Sequence, residues 1–449
     1  MRVYRGHLIH IGGAPRLDGA REHLVSIPDG ALVVDDAGMI GYSGAYPGLP
    51  ESAAGAEIVD CRPGFLLPGF VDTHIHFPQT HCVDSYGGGQ LLDWLQRCIF
   101  PAEAMLSDTD YARRVAQDFC GRRIAVGTTT ALVFGSAFPH AQDALFEESI
   151  AAGLRTISGR GIQTVGPVAA GPLLTGDAEA IGLTRNEIER WHNHAGGLTQ
   201  VAVVPRFALS VTETTLRALG ELYEDVRADG VYFHTHLSEN LGEIEAVRAD
   251  YAVQHYLDTY DGRCAGGGVS MLGRRSVFAH AVHCTDHELS RLAETGSSIA
   301  HCPTSQLFLG SGTMPWRRTT ASGVTVALGT DVSAGDEWLI PRVLNDCFKV
   351  HISEPEGQGL SIPPADLLFT ATLAGARALD LEDRIGNLDA GKEADFLVVD
   401  PQRQALLPEL LARTDPEDAD RLLFTLLMSM REDVIDGVYV RGRLVTGPG

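Results

Sequence analysis

Two histidines in the first quarter of the chain have the spacing of metal ligands. His74 and His76 are separated by one residue, within a run from Phe70 that alternates as a β-strand does. Because side chains at positions i and i+2 of a strand share a face, both imidazoles, together with Asp72, are expected to point the same way. Two imidazoles on one face can bind one metal ion. The chain has 17 histidines, so this pair alone does not distinguish a metal site from a chance or structural pair.

Further metal-capable side chains lie where other predicted strands end. They are His234, His236, His280, His301 and Asp331. A set of three imidazoles and one carboxylate suits a divalent zinc or iron ion and leaves a position for water, as in a hydrolytic site. A bound metal lowers the pKa of water from 15.7 to about 7, so hydroxide becomes available at neutral pH. Glu239, three residues after His236, offers a general acid–base near such a site.

The segments that would position these residues alternate between strands and amphipathic, mostly helical stretches. Eight strands are predicted at Phe70–His76, Thr128–Phe134, Arg155–Gly161, Gln200–Phe207, Val231–Leu237, Ser276–Ala281, Ser297–His301 and Val324–Gly329. This alternation predicts an α/β protein with a (β/α)8 TIM-like barrel. The active sites of such barrels lie at the C-terminal ends of the strands, which is where the metal-capable side chains recur.

The two ends of the chain differ from the middle. Both consist mainly of short predicted strands and turns, with an apolar helical segment at 405–432. We expect the two ends to join in one small β-sandwich domain. The predicted domains are therefore 1–67 for the first part of the sandwich, 68–383 for the barrel and 384–449 for the second part of the sandwich.

Composition limits the classes of partner. The chain has 449 residues, 44% hydrophobic residues and a mean hydropathy of +0.01, as expected for a globular protein with a substantial core. Its formal net charge of −23 opposes a nucleic-acid partner. No apolar run approaches the roughly 20 residues of a membrane helix, and the first residues do not resemble a signal peptide. We therefore expect a cytoplasmic protein that binds neither nucleic acid nor membrane.

The metal-capable residues resemble a known superfamily. The segments Pro68-Gly-Phe-Val-Asp-Thr-His-Ile-His76, His236-x-x-Glu239, His280 and Gly329-Thr-Asp331 are similar to the metal-dependent hydrolases of the amidohydrolase superfamily. Gly386-x-Leu388-x-x-Gly391-Lys-x-Ala394-Asp395 resembles the return of those proteins to their small β-sandwich. By this resemblance, the metal ligands are His74, His76, His236 and Asp331. It also implies that His280 hydrogen-bonds the attacking water and that Asp331 takes its proton, so the catalytic residues are Glu239, Asp331 and His280.

The lysine content bears on the number of metals. Many members of the superfamily hold two metals bridged by a carboxylated lysine on the fourth barrel strand. The predicted fourth strand of this chain contains no lysine, and the chain has only Lys349 and Lys392. The resemblance therefore implies one divalent metal ion, with zinc expected and iron(II) as the alternative, as in the deaminase branch.

Within that branch the chain is most similar to guanine deaminases. The similarity rests on His74-x-His76-x-x-Gln79, Leu91-Leu-Asp-Trp94-Leu, Phe100-Pro-Ala-Glu103, Pro205-Arg206-Phe207 and His236-Leu-Ser-Glu239-Asn240. It implies that Gln79, Arg206 and Phe207, with His236 and Glu239, bind guanine. Arg206 can donate to a carbonyl oxygen, Phe207 can stack on a ring, and the Gln79 amide can both donate and accept.

The resemblance also implies a homodimer. The sequence departs from the pattern of its relatives at one position after the seventh strand. Relatives commonly carry Asn where this chain has Gln306, after the seventh strand. The additional methylene group puts any contact of that side chain in question.

The expected reaction is hydrolysis of guanine to xanthine and ammonia. Two alternatives stay open at this stage: deamination of another purine, a pterin or a triazine, and a non-catalytic scaffold. The presence of every expected ligand and of Glu239 argues against the scaffold. Small zinc deaminases of nucleic acids need a Pro-Cys-x-x-Cys site, which this sequence lacks.

Overall fold

A computed structural model of the protein describes residues 1–83, 91–354, 362–415 and 417–446. The strands are β1 (Arg2–Ile11), β2 (Leu24–Val34), β3 (Ile40–Ala45), β4 (Glu57–Pro68), β5 (Phe70–His76), β6 (Thr128–Phe134), β7 (Arg155–Gly159), β8 (Thr199–Val203), β9 (Tyr232–Leu237), β10 (Ser276–His280), β11 (Ser298–His301), β12 (Thr325–Leu328), β13 (Phe396–Val399), β14 (Ile435–Val440) and β15 (Arg443–Leu444).

Helices follow most of these strands. They are α1 (Leu91–Trp94), α2 (Phe100–Ala104), α3 (Thr109–Ala125), α4 (Pro139–Ala152), α5 (Asp177–Trp191), α6 (His194–Gly197), α7 (Glu213–Val226), α8 (Leu241–Asp250), α9 (Asp286–Thr295), α10 (Pro303–Leu309), α11 (Trp316–Ala321), α12 (Ile340–Ile352), α13 (Pro364–Ala371), α14 (Leu373–Ala378), α15 (Leu407–Leu411) and α16 (Ala419–Ser429). Among the described residues, no helix is long and apolar enough to cross a membrane.

Strands β5 to β12 form the barrel. They pair side by side in sequence order, and every pairing is parallel. The first and last strands meet through Thr73, whose hydroxyl donates to the carbonyl of Leu328 over 2.9 Å. All seven residues of β5 and of β6 are buried, as expected for parallel strands covered on both faces. The prediction of a (β/α)8 barrel is confirmed.

Local sequence explains where these elements begin and end. Helix α9 starts with a capping box in which the Thr285 hydroxyl accepts from the Glu288 amide while the Glu288 carboxylate accepts from the Thr285 amide. Strand β8 ends at Val203, whereas the sequence predicted a strand to Phe207. Pro205, which has no N–H to donate, forms only an isolated bridge with Ile162, and Arg206 and Phe207 follow it outside the strand.

The second sheet combines both ends of the chain. Its seven strands lie in the order β15-β14-β13-β4-β1-β2-β3. The predicted hairpins at both ends are present, and the segment 405–432 contains α15 and α16. The extra β-domain built from both ends is therefore confirmed. Because β4 ends at Pro68 and β5 begins at Phe70, the two sheets adjoin at Gly69; the limits at 67/68 and 383/384 stay predictions.

Candidate active site

Strand β5 brings two buried imidazoles to the barrel mouth. The Nε2 atoms of His74 and His76 lie 3.2 Å apart, and the Nε2 of His236 on β9 lies 3.3 Å from that of His76. The Oδ1 of Asp331 is 3.0 Å from the Nε2 of His74 and 3.2 Å from that of His76. The four predicted ligands therefore converge, with one candidate ligand atom from each residue within 4.8 Å of the others.

Hydrogen bonds outside this cluster fix the tautomers of two of its imidazoles, those of His74 and His236. His234 Nδ1 donates to the carbonyl of Val277 over 2.8 Å, so its Nε2 accepts from His74 Nδ1, also over 2.8 Å. His236 Nδ1 donates to the carbonyl of Arg206 over 2.6 Å. The Nε2 atoms of His74 and His236 therefore carry lone pairs. Partners of this kind orient metal-binding histidines in general.

The loop after β12 places Asp331. A side chain on Gly329 would lie 2.9 Å from the His74 Cβ, so this close approach requires glycine. Asp72 accepts from the amide and the hydroxyl of Thr330 over 3.1 and 2.7 Å, and from the amide of His74 over 3.1 Å. Asp331 has a φ of 53°, a strained backbone conformation of the kind that occurs at functional sites. Asp72, which the sequence placed only on the shared face, thus ties the two ligand-bearing segments together.

The donor set fits a cation. Three atoms that can only offer electron pairs, His74 Nε2, His236 Nε2 and Asp331 Oδ1, face one another beside the Nε2 of His76. The buried Asp331 Oδ1 has no hydrogen-bond partner among the described residues. Ligand atoms about 2.0–2.1 Å from one tetrahedral ion lie roughly 3.3 Å apart, close to the observed contacts. The arrangement therefore fits one divalent metal, although the ligand roles themselves stay predictions.

Burial sets the protonation of the cluster. It lowers the pKa of His76 to about 4 and that of His280 to about 3, so both imidazoles are neutral near pH 7. Neutral imidazole is the form that binds metals. Burial opposes ionisation of Asp331, but the imidazoles of His74 and His280 outweigh it and hold the pKa of this carboxyl well below its ordinary value.

The two remaining predicted catalytic groups adjoin the cluster. His280 Nε2 lies 3.4 Å from Glu239 Oε2 and 3.7 Å from Asp331 Oδ2, between the two carboxylates. Burial, and then the charge of Asp331, raise the pKa of Glu239 well above its ordinary value. Ser311 donates to Glu239 Oε1 over 3.2 Å. A protonated carboxyl beside a site for water is suited to deliver a proton.

A pocket connects this cluster with the predicted ring-binding residues. Its lining includes His76, His236, Glu239, Glu243, His280 and Asp331 at the polar end, and Gln79, Arg206, Phe207, Trp94 and Leu95 along the wall. The structure thus brings together Gln79, Arg206 and Phe207, which the sequence proposed for substrate binding, beside the four candidate ligands. An aromatic wall and a few convergent polar groups are typical of a small-molecule site.

Sequence reasoning assigned no role to the residue that joins two side chains of this wall. Glu103 on α2 accepts from Arg206 Nη1 over 2.8 and 2.7 Å and from Gln79 Nε2 over 2.8 Å. Its motif, Phe100-Pro-Ala-Glu103, supported the resemblance to guanine deaminases, but no role followed from the motif alone. Glu103 is buried, at 5% exposure, and this position holds the two polar wall residues in place.

A second group of metal-capable residues lies apart from this pocket. His301 Nε2 donates to His351 Nε2 over 2.9 Å, and His351 Nδ1 donates to Glu354. Gln306 lies 3.5 Å from His301 Nδ1, and it is not among the described residues that line the pocket. All four ring nitrogens are thus engaged in a chain of contacts. The additional methylene group of Gln306 therefore bears on the position of the His301 imidazole rather than on substrate contact.

Comparisons with known proteins agree with this geometry. The model of the amidohydrolase family matches residues 65–445. A probable guanine deaminase from Deinococcus radiodurans is 40% identical over 99% of this chain and 98% of its own. A 5-methylthioadenosine/S-adenosylhomocysteine deaminase from Symbiobacterium thermophilum is 33% identical over 85% and 83% of the two chains. The solved guanine deaminase of E. coli superposes with a TM-score of 0.90 at 34% identity, and each chain is covered fully. The chain therefore belongs to the amidohydrolase family and, within it, to the group of guanine deaminases.

Proposed function

We propose that this protein hydrolyses guanine to xanthine and ammonia. The observation that carries the proposal is the pocket in which Glu239 and three of the four converging candidate metal ligands adjoin Gln79, Arg206 and Phe207. The 40% identity to a probable guanine deaminase over nearly the whole chain supports the choice of substrate. The reaction replaces the exocyclic amino group at C2 of the purine with oxygen from water.

His74, His76, His236 and Asp331 would hold one divalent ion, which supplies an activated water at neutral pH when bound. Asp331 takes a proton from that water, and His280 hydrogen-bonds its oxygen as it approaches C2 of the ring. Glu239, protonated in its buried position, delivers a proton to the ring nitrogen next to C2. Asp331 then gives its proton to the amino group, which leaves as ammonia, while Glu239 takes the proton of the new hydroxyl group as the C2 carbonyl forms.

The wall of the pocket would orient the ring. Arg206 donates to the carbonyl oxygen O6, a charge-assisted hydrogen bond that a 6-amino group cannot accept. Phe207 stacks on the ring face. C2 is thereby directed to the polar end of the pocket, where Glu239 and Asp331 lie.

Four finer points belong to this proposal. We infer zinc as the native metal because three imidazoles and one carboxylate suit it, with iron(II) as the alternative. The homodimer and the cytoplasmic location rest on the resemblance and on composition, and both stay predictions. A purine-metabolic role follows from the reaction.

The test is ammonia release from a substrate panel, with metal content measured on the same sample. The panel contains guanine, adenine, cytosine, a pterin and 5-methylthioadenosine. We expect guanine to be the preferred substrate, with about one divalent ion per chain, and activity to be lost after chelation and restored by added zinc. Ammonia release from another member of the panel, but not from guanine, would overturn the proposal.

A second candidate is deamination of an adenine-containing compound. The 33% identity to a 5-methylthioadenosine/S-adenosylhomocysteine deaminase favours it. In adenine the amino group is at C6, so the ring would have to enter the pocket in a different orientation. The same panel separates the two candidates.

A further inference from the structure

Glu103 lies at the centre of a buried chain of hydrogen bonds that joins three sides of the barrel mouth. It connects Gln79, which follows β5, with Arg206, which follows β8. Gln79 in turn accepts from the amide of Ser333, beyond β12, over 3.2 Å. The four residues are at most 5% exposed. A fully connected buried network of this kind holds its members in one arrangement.

The two partners of Gln79 decide which way its amide points. The Ser333 partner is a backbone N–H, which can only donate, so the amide oxygen must face it. An ionised Glu103 can only accept, so the amide nitrogen must face that carboxylate. One N–H of the amide group is thereby used by Glu103, the oxygen is used by Ser333, and the remaining N–H is available to the pocket that Gln79 lines.

The same carboxylate positions the Arg206 guanidinium. Both hydrogen bonds to Glu103 come from Nη1 of Arg206, and the Phe100 ring lies 5.4 Å from the guanidinium carbon. Arg206 also lines the pocket. Arg206 offers its remaining N–H groups to the pocket and Gln79 offers its second amide N–H. The polar groups that these two side chains present to a ligand are therefore all hydrogen-bond donors.

We infer that Glu103 is the positioning residue that determines ring specificity. It makes the part of the pocket lined by Gln79 and Arg206 a surface of hydrogen-bond donors, which selects purines with acceptors on the facing edge. Guanine offers such acceptors in O6 and N7. A ring with a 6-amino group places a donor against donors and leaves polar groups unpaired, and sites of this kind reject such analogues strongly. The inference rests on the proposed function, because it assigns the substrate preference to a residue outside the reacting centre.

The experiment compares guanine with 2,6-diaminopurine, which keeps the amino group at C2 and replaces O6 with an amino group. For Glu103→Gln, Gln79 loses one of the two contacts that orient its amide, because a glutamine at position 103 can donate as well as accept, and Arg206 loses its ionic partner. We expect the ratio of kcat/KM for guanine to that for 2,6-diaminopurine to fall about 10- to 100-fold, mainly through a higher KM for guanine. The metal content should stay unchanged, because Glu103 contacts no candidate ligand.

Two further variants keep the test decisive. Gln79→Met removes the amide donor but leaves the Arg206–Glu103 pair intact, and it should lower the same ratio even if Glu103→Gln does not fold. Glu393→Gln alters a partly buried carboxylate that pairs with arginine and does not line the pocket, and it should leave the ratio unchanged. A wild-type ratio in a folded Glu103→Gln or Gln79→Met variant overturns the inference. Absence of guanine turnover in the wild type would instead overturn the proposed function.

Discussion

At the scale of single residues, hydrogen-bond partners decide which atoms can bind a metal and which can move a proton. His74 and His236 point lone pairs into the cluster because their other ring nitrogens donate to His234 and to a backbone carbonyl. Glu239 and Asp331 are both buried carboxyls, but the pKa of Glu239 is raised by burial, which favours its protonated form, whereas the neighbouring imidazoles hold the pKa of Asp331 low. Residues of the same chemical type thus acquire different tasks from their surroundings.

The clearest test at this scale is Glu239→Gln. The amide keeps the size of the side chain and cannot exchange a proton, so we expect kcat to fall about 10²- to 10⁴-fold. Metal content should stay near the wild-type level, since Glu239 is not a predicted ligand. The measurements are steady-state ammonia release and metal analysis.

A matched control separates this effect from a general loss of a buried carboxylate. Glu288 is also buried, but its carboxylate accepts hydrogen bonds at the start of α9 and does not line the pocket, so Glu288→Gln should leave kcat within about twofold of the wild type. Near-normal turnover in Glu239→Gln would refute its role as the acid–base.

At the scale of elements, the ends of the barrel strands determine where the substrate wall lies. Beyond β8, Pro205 pairs with Ile162 in an isolated bridge, in which the amide of Arg206 donates to the carbonyl of Ile162 over 3.1 Å. Helix α5 is attached to the residue that follows β7, because the Oε2 of Glu187 on this helix accepts from the amide of Arg160 over 3.2 Å.

The buried carboxyl of Glu187 leads to a prediction about how stability depends on pH. Burial raises its pKa from the ordinary 4.5 to about 8. Between these values the carboxyl is ionised in the unfolded chain and protonated in the folded one. Its contribution to stability is therefore fully present below about pH 4.5 and is lost as the pH rises through about 8. We expect the urea midpoint of the wild type to fall more between about pH 5 and pH 8 than that of Glu187→Gln.

The control lies on the same helix. Glu189 is exposed, so Glu189→Gln should follow the wild-type pH dependence. Identical pH dependence in Glu187→Gln and in the wild type would show that this carboxyl does not titrate as proposed.

At the scale of the whole molecule, one buried arginine connects the barrel with the second sheet. Arg155 begins β7, and its Nη2 lies 2.6 Å from Glu393 and 3.1 Å from Asp395, just before β13. Glu393 has two further arginine partners, Arg384 and Arg441. Asp395 receives a backbone hydrogen bond from Arg441, but Arg155 is the charged group paired with it among the described residues.

Arg155→Met should therefore destabilise the protein without altering its chemistry. Removing one partner of a buried ion pair costs about 3–5 kcal/mol, because the other charge is left buried and unpaired. We expect a loss of this size in the free energy of unfolding, measured with guanidinium chloride. The kcat/KM of the folded variant should match the wild type.

The double variant Arg155→Met with Asp395→Asn tests whether the unpaired charge of Asp395 causes this loss of stability. It removes the stranded charge and should recover part of the lost stability. A single variant that loses less than about 1 kcal/mol would contradict the assigned role of the pair.

The sequence by itself determined the barrel, the second sheet from both chain ends and the group of residues that could bind a metal. It could do so because the period of two in β5 and the recurrence of polar residues after strands are local properties of the chain. Distances of 3.0–3.3 Å between the candidate ligand atoms arise only when β5, β9 and the loop after β12 close into one barrel.

Tertiary structure alone decided the second layer of the site. The bonds from His74 to His234, from Asp72 to Thr330 and from Gln79 to Glu103 span 160, 258 and 24 residues. No periodicity in the sequence encodes such partners, because they depend on which side chains meet after folding. The direction of the Gln79 amide shows the difference: the sequence offered a group that could donate or accept, and its two buried partners left it a donor toward the pocket.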